Sequence, residues 1–276
     1  MNQPVCFVHI PKTAGTTFNF ILSREYASGV RIEVPSNELS LVPSFLARTP
    51  KEQISKASLI RGHFGYGVHQ LVEGGVRYLT FLRDPANRLK SYIYHMRHEA
   101  EVHHDKGGWW YESARKRTPL KDYASEFQDK CIDNDQVRRV AGIDFDFGKC
   151  NQAILDIAKS NLDNKFTAFG LLERFDESLI AMSHVLRWSK TPRYYVVKRR
   201  NRRLATEPLS SQDIECIDRL TIYDQLLYDH AKLLFEESTS TINHLAAKTF
   251  ALKTQNTLTA PGLKIAHQTW RHFRSS

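Results

Sequence analysis

Cysteine is scarce and scattered. Cys6, Cys131, Cys150 and Cys216 include no close pair, so no zinc knuckle and no redox motif can be written from them. The usage suits a reducing compartment. No run of about eighteen apolar residues occurs, which excludes a spanning helix. The first residues carry no basic stretch followed by an apolar core, so no secretory leader is visible. A cytoplasmic protein away from membranes is the expectation, with a trimmed chain as the alternative. Repeats and long low-complexity tracts are missing as well.

Acidic residues are outnumbered, 30 against 39 Lys and Arg, for a net charge of +9. A basic chain suits an anionic partner. No helix-turn-helix, zinc finger or RNA-binding aromatic signature accompanies the charge, so nucleic acid is not the expected partner. A nucleotide with several phosphates and an acidic glycan remain. The 276 residues, 41% hydrophobic, can bury a large core and fit one large α/β domain better than two small ones. His95, His98, His103 and His104 are clustered in sequence, but no cysteine or nearby acid pair completes a familiar metal site, and no metal is expected.

Strand-like runs occur at 5–9, 58–61, 76–82, 166–170 and 194–198. Helical patterns lie between them at 16–26, 86–100, 121–130, 151–160 and 176–188. This alternation predicts a central parallel sheet flanked by helices, with ligands at the carboxyl ends of the strands. Residues 212–237 read as one helix, opened by a capping box from Ser210 and Asp213. Residues 238–276 read as a separate helix and basic tail, with Trp270, Arg271, His272 and Arg274, and as a candidate oligomer contact.

The most informative stretch is Val5-Cys6-Phe7-Val8-His9-Ile10-Pro11-Lys12-Thr13-Ala14-Gly15-Thr16-Thr17-Phe18. An apolar strand leads through small and hydroxyl residues into a helix, which is how a chain builds an anion cradle. Lys12 adds charge, and Thr13, Thr16 and Thr17 add hydroxyl donors. No Gly-Lys-[Ser/Thr] ends the loop, so it is not a Walker A motif. A plain corner with an exposed lysine is the alternative. His9, near this loop, reads as a packed strand residue.

A second strand–junction–helix unit is Tyr78-Leu79-Thr80-Phe81-Leu82-Arg83-Asp84-Pro85-Ala86-Asn87-Arg88-Leu89-Lys90-Ser91. Asp84 suits an N-cap and Pro85 the first helical position. Ser91, two turns on, returns to nearly the same face. Arg83 and Ser91 can thus clamp one phosphate, unless Arg83 pairs with an acid and Ser91 faces water.

Together the two segments resemble the sulfotransferases that use 3′-phosphoadenosine-5′-phosphosulfate, in particular the uronyl and heparan sulfate 2-O-sulfotransferases and their bacterial relatives. Pro11-Lys12-Thr13-Ala14-Gly15-Thr16-Thr17 resembles the family's 5′-phosphosulfate loop. Arg83-Asp84-Pro85-Ala86-Asn87-Arg88-Leu89-Lys90-Ser91 resembles its 3′-phosphate segment. Arg61-Gly62-His63-Phe64, Asn134 to Gly142 and Phe169 to Leu179 resemble three further family stretches. The likeness runs from residue 5 to about residue 237, which bounds the expected sulfotransferase domain at 1–237.

The resemblance implies a donor site of Lys12, Thr13, Ala14, Gly15, Thr16, Thr17, Arg83 and Ser91. Lys12 would neutralise the leaving phosphate and His63 would be the general base. One departure stands out. The family carries His-x-His where this chain has Arg61-Gly62-His63, which weakens the case for a uronic acid acceptor. Aromatics and cations of 97–118, from Trp109, Trp110 and Tyr111 to Arg115, Lys116 and Arg117, read as a polar insertion facing a sugar or as a self-anchored loop. The basic run Lys198 to Arg203 resembles a loop that closes over the nucleotide. The expected activity is transfer of a sulfuryl group to a hydroxyl acceptor, a carbohydrate, acidic or neutral, without a metal. The alternatives are an ATP-dependent kinase, which would need Mg²⁺ and a Walker loop, and a binding module without catalysis.

Overall fold

The computed structural model describes residues 3–34, 48–195 and 209–275, with side chains to residue 263. The chain runs β1 (Val5–Val8), α1 (Gly15–Glu25), β2 (Val30–Val34), α2 (Lys51–Ser55), β3 (Ala57–Gly62), β4 (Arg77–Leu82), α3 (Pro85–Val102), α4 (Trp109–Lys116) and α5 (Leu120–Phe127). It continues as α6 (Asp135–Ala141), α7 (Gln152–Asn164), β5 (Phe166–Leu171), α8 (Phe175–Leu186), α9 (Ser211–Leu220), α10 (Ile222–Ser240) and α11 (Leu245–Ser275).

The five strands form one sheet in the order β2-β3-β1-β4-β5, and every pairing is parallel. Val5, Cys6, Phe7 and Val8 are all fully buried. That explains why β1 reads as an unbroken apolar run, since a central parallel strand is covered on both faces. β1 lies between β3 and β4, so the chain crosses over it between those two strands. Val8 pairs with Gly62 on one side and Thr80 on the other. The three strand ends are therefore nearly level, and the loops that follow them share one rim, the usual ligand position in such sheets.

Four of the expected strands are present. The edge strand β2 was not expected, although Ile32 and Val34 are buried and Glu33 points out in the alternation of an edge. Of the run 194–198, Tyr194 and Tyr195 stand outside the sheet, and 196–198 lies outside the described residues. The basic run 198–203 lies outside them too.

Two expectations about helices change. Residues 97–118 are not a loop: α3 continues to Val102, and α4 begins at Trp109 after Gly108, whose φ of 101° breaks the chain. Trp110 and Tyr111 anchor α4 against the cluster around Tyr92, Met96 and Tyr123, and Trp110 donates to the Tyr92 hydroxyl at 3.4 Å. The single helix expected over 212–237 is two. Thr221 leaves helical geometry, and Asn134 inserts there: its N–H donates to the Leu220 carbonyl at 3.0 Å, while its Oδ1 accepts from the N–H groups of Tyr223 and Asp224 at 2.9 and 3.0 Å. A side chain from elsewhere thus caps α10, which helical periodicity alone does not reveal. Half of the expected capping box is present, with Ser210 Oγ accepting from Asp213 N at 3.0 Å, while Asp213 Oδ1 accepts from Leu120 N at 2.8 Å.

α10 runs through residue 237 to Ser240, and Leu252 of α11 joins the core beside Phe7, Phe18 and Phe81. Among the described residues no helix is long and apolar enough to cross a membrane.

Candidate active site

The loop between β1 and α1 forms the centre. Lys12 and Ala14 adopt left-handed backbone, with φ of 70° and 66°. Non-glycine residues seldom hold that geometry, and two in one short loop mark a tightly turned cradle. The Ala14 carbonyl accepts from Thr17 N at 3.0 Å and Phe18 N at 3.1 Å. The N–H groups of Gly15 and Thr16 therefore lie ahead of the helix's own ladder, at its positive end. Thr16 is exposed and Thr17 is buried. Thr13 does not offer its hydroxyl hydrogen outward. Its side chain is fully buried and donates to the Ile10 carbonyl at 2.9 Å, bracing the turn from inside.

Arg83 follows the end of β4 and reaches this loop, its Nη1 donating to the Lys12 carbonyl at 3.0 Å. Its backbone is held on both sides by one side chain: Gln136 Oε1 accepts from Arg83 N and Gln136 Nε2 donates to Arg83 O, each at 2.9 Å. Asp84 caps α3, accepting from Asn87 N at 2.9 Å, and its own N–H donates to Glu173 Oε1 at 3.2 Å. Glu173 is anchored in turn by the Tyr228 hydroxyl at 2.6 Å. Ser91 is half-buried two turns along α3.

His63 follows the end of β3. Its Nδ1 is 2.8 Å from the His9 carbonyl. A carbonyl can only accept, so Nδ1 carries the hydrogen and Nε2 keeps a lone pair. Its ring stacks on that of His9, with centroids 4.0 Å apart and planes at 28°. Burial and the Arg139 guanidinium push the His63 pKa below the ordinary value, against the opposing effects of the His9 carbonyl and Asp135. His63 is thus neutral near neutral pH, the form a general base needs. Arg61, two residues before His63, is engaged elsewhere. It donates to Asn19 O and Ser23 Oγ, both at 2.8 Å, and pairs with Glu33 at 2.5 Å, tying β3 to α1 and β2.

Helix α6 joins these parts. All seven of its residues are buried, four of them charged or amide side chains. Asp135 pairs with Arg139 at 2.9 Å and with the fully buried Arg88 at 3.6 Å. Asp224 accepts from Val137 N at 2.8 Å and Gln136 N at 3.3 Å at the start of the helix. At its end the Arg139 carbonyl accepts from Tyr66 N at 2.8 Å, fixing the chain just past His63. Gly142 closes the helix with φ of 72°, and a Cβ there would lie 2.2 Å from the Tyr66 carbonyl oxygen, so only glycine fits. One buried helix therefore locates both the arginine junction and the histidine loop. In the sequence this stretch carries only a family resemblance, and Gln136, Arg139 and Glu173 have no evident role there. Their signal was polar residues packed densely where a core helix would be apolar.

Lys12, Gly15, His63 and Arg83 come from three separate stretches and meet at one rim. Among the described residues no group of three or more His, Cys, Asp or Glu side chains is placed to hold a metal ion. His95 and His103 instead flank Glu99, at 3.6 and 3.5 Å. The model of the galactose-3-O-sulfotransferase family matches residues 1–248, from β1 into the start of α11. The chain belongs to that family. It is a sulfotransferase, as the motifs led one to expect, though the matching branch is named for galactose rather than for the uronic acids of the 2-O enzymes. No curated protein matches the chain.

Proposed function

We propose that this sulfotransferase moves a sulfuryl group from 3′-phosphoadenosine-5′-phosphosulfate to a hydroxyl of a carbohydrate, with a galactose-type sugar as the first acceptor to try. The observation that carries the reading is the contact of Arg83 Nη1 with the Lys12 carbonyl. It brings two anion-binding segments, 71 residues apart in sequence, into one site fit for a nucleotide with phosphate at both ends.

The residues present suit that co-substrate. The left-handed turns at Lys12 and Ala14, the N–H groups of Gly15 and Thr16, and the Thr16 and Thr17 side chains would hold the 5′ end. Arg83, with Ser91 farther along α3, would hold the 3′-phosphate. When bound, the co-substrate supplies the activated sulfuryl group. Lys12 places a cation where negative charge grows on the departing phosphate oxygen. His63 Nε2 accepts the proton of the acceptor hydroxyl, and the Nδ1 hydrogen bond to His9 holds the ring in the tautomer that can do so. Nothing in this account calls on a metal.

The test is incubation with sulfur-labelled donor and a panel of galactosides, uronic-acid glycans and neutral sugars, with and without EDTA. Label transferred to a sugar hydroxyl in the presence of EDTA supports the reading. Phosphate transfer from ATP that needs Mg²⁺ would replace it with a kinase.

A further inference from the structure

His9 lies between the two halves of the proposed machinery. Phe7 and His9 are two residues apart on the same face of β1 and its continuation. Phe7 stacks beneath His9, with centroids 5.4 Å apart and planes at 16°, and His9 stacks beneath His63 at 4.0 Å and 28°. Phe7 is fully buried, so the column roots His63 in the core. The Nε2 end of the His9 ring abuts the first residue of α1. A Cβ built on Gly15 would lie 1.7 Å from His9 Nε2, so the ring fills the space a side chain there would take. The backbone of His9 acts as well, since its carbonyl accepts from His63 Nδ1 and its N–H donates to the Gly62 carbonyl at 2.9 Å.

We infer that His9 is a positioning residue whose ring, seated on Gly15, sets the plane of His63 and its distance from the donor loop. This rests on the reading of His63 as the base. A flat ring is needed there because any flexible side chain would let the imidazole tilt. Misplacement of about 1 Å at a reacting group can cost on the order of 10²-fold in rate. The ring must also be uncharged, because a cation stacked at 4.0 Å would oppose the proton that His63 takes up. The surroundings ensure this. Burial first, then the charges of His63, Arg139 on α6, Arg61 on β3 and Lys12 on the donor loop hold the His9 pKa well below the ordinary value. Around His63 the charged groups are Arg139 and Asp135, both from α6.

The experiment combines ¹⁵N NMR of the histidine rings with kinetics on the full chain. In the unaltered protein His63 should carry hydrogen on Nδ1, a result that needs no variant. His9→Phe keeps a flat uncharged ring and should retain most of kcat. His9→Ala should lower kcat about 10²-fold, with a smaller change in donor affinity. It should also let His63 titrate closer to its ordinary value of about 6.5 as water enters. Hydrogen on Nε2 of His63 in the unaltered protein would overturn the inference. So would His9→Ala with unchanged kcat and His63 titration, or a Phe variant as slow as the Ala variant in a fold that melts normally. Retained turnover in His63→Ala would remove the base assignment instead, while the tautomer and titration of His63 would still decide whether His9 positions it.

Discussion

Gln136 offers the sharpest test of how the site is assembled, because it would touch no substrate and yet holds Arg83 at both backbone groups. It is 1% exposed. Gln136→Leu keeps the approximate volume and removes both 2.9 Å hydrogen bonds. The Arg83 N–H and carbonyl then face an apolar side chain. Arg83 is half-buried, so water can replace these bonds in part, and the fold should lose about 1–3 kcal/mol. Denaturant unfolding measures that cost. The larger consequence concerns binding. Once its backbone is loose, Arg83 no longer presents its guanidinium from a fixed place beside Lys12, and affinity for 3′,5′-bisphosphoadenosine should fall at least about tenfold, or 1.4 kcal/mol. AMP, without a 3′-phosphate, should lose much less. Calorimetry on folded protein reads both. A folded Gln136→Leu variant with unchanged bisphosphate affinity would refute the idea that α6 sets the arginine junction.

Further expectations concern the reacting groups and the buried lattice. Lys12→Ala should lower kcat by about two to three orders of magnitude, as removal of one transition-state donor does, read as initial rates at saturating donor. Burial and Arg139 lower the His63 pKa, so His63 stays unprotonated to lower pH than an ordinary histidine. The acid limb of the rate profile should therefore lie below about 6.5 and the rate be flat through neutrality; a limb above 7 counts against His63. Gly15→Ala drives a methyl into the His9 ring and should impair turnover about as severely as His9→Ala, on the order of 10²-fold, which a melting curve separates from unfolding. Asp224→Asn keeps an oxygen for the Val137 N–H but removes the charge facing the fully buried Arg88 and the acceptor of the Gln136 N–H, and should cost about 3–5 kcal/mol in urea unfolding.

Much of this could be read from the residues. The strand–loop–helix order at 5–18 and 78–91 placed both candidate anion segments at strand ends, and Asp84 and Pro85 marked the start of α3. Those features are local, set by periodicity and caps within a few residues. What the sequence did not show depends on distant partners. Thr221 looked like one more helical position until Asn134, just ahead of α6, entered there. Thr13 looked like an outward donor until the turn folded it onto Ile10. His9 looked like a packed strand residue, which it is, but its ring stacks between Phe7 and His63 and abuts Gly15. Polar residues within a fully buried helix, such as Gln136 and Arg139, break the apolar pattern from which core helices are recognised, and their roles emerge only when the loops after β3 and β4 meet it.

If donor and base meet at the rim of β1, loss of the base should stop transfer and spare the nucleotide's place. The most direct measurement is single-turnover transfer of labelled sulfuryl from 3′-phosphoadenosine-5′-phosphosulfate to a galactoside, comparing the unaltered protein with His63→Ala. The account predicts bisphosphate affinity nearly equal in the two and a transfer rate about 10²–10⁴ lower in the variant. A variant that transfers at the normal rate, or one that no longer binds the nucleotide, would contradict it.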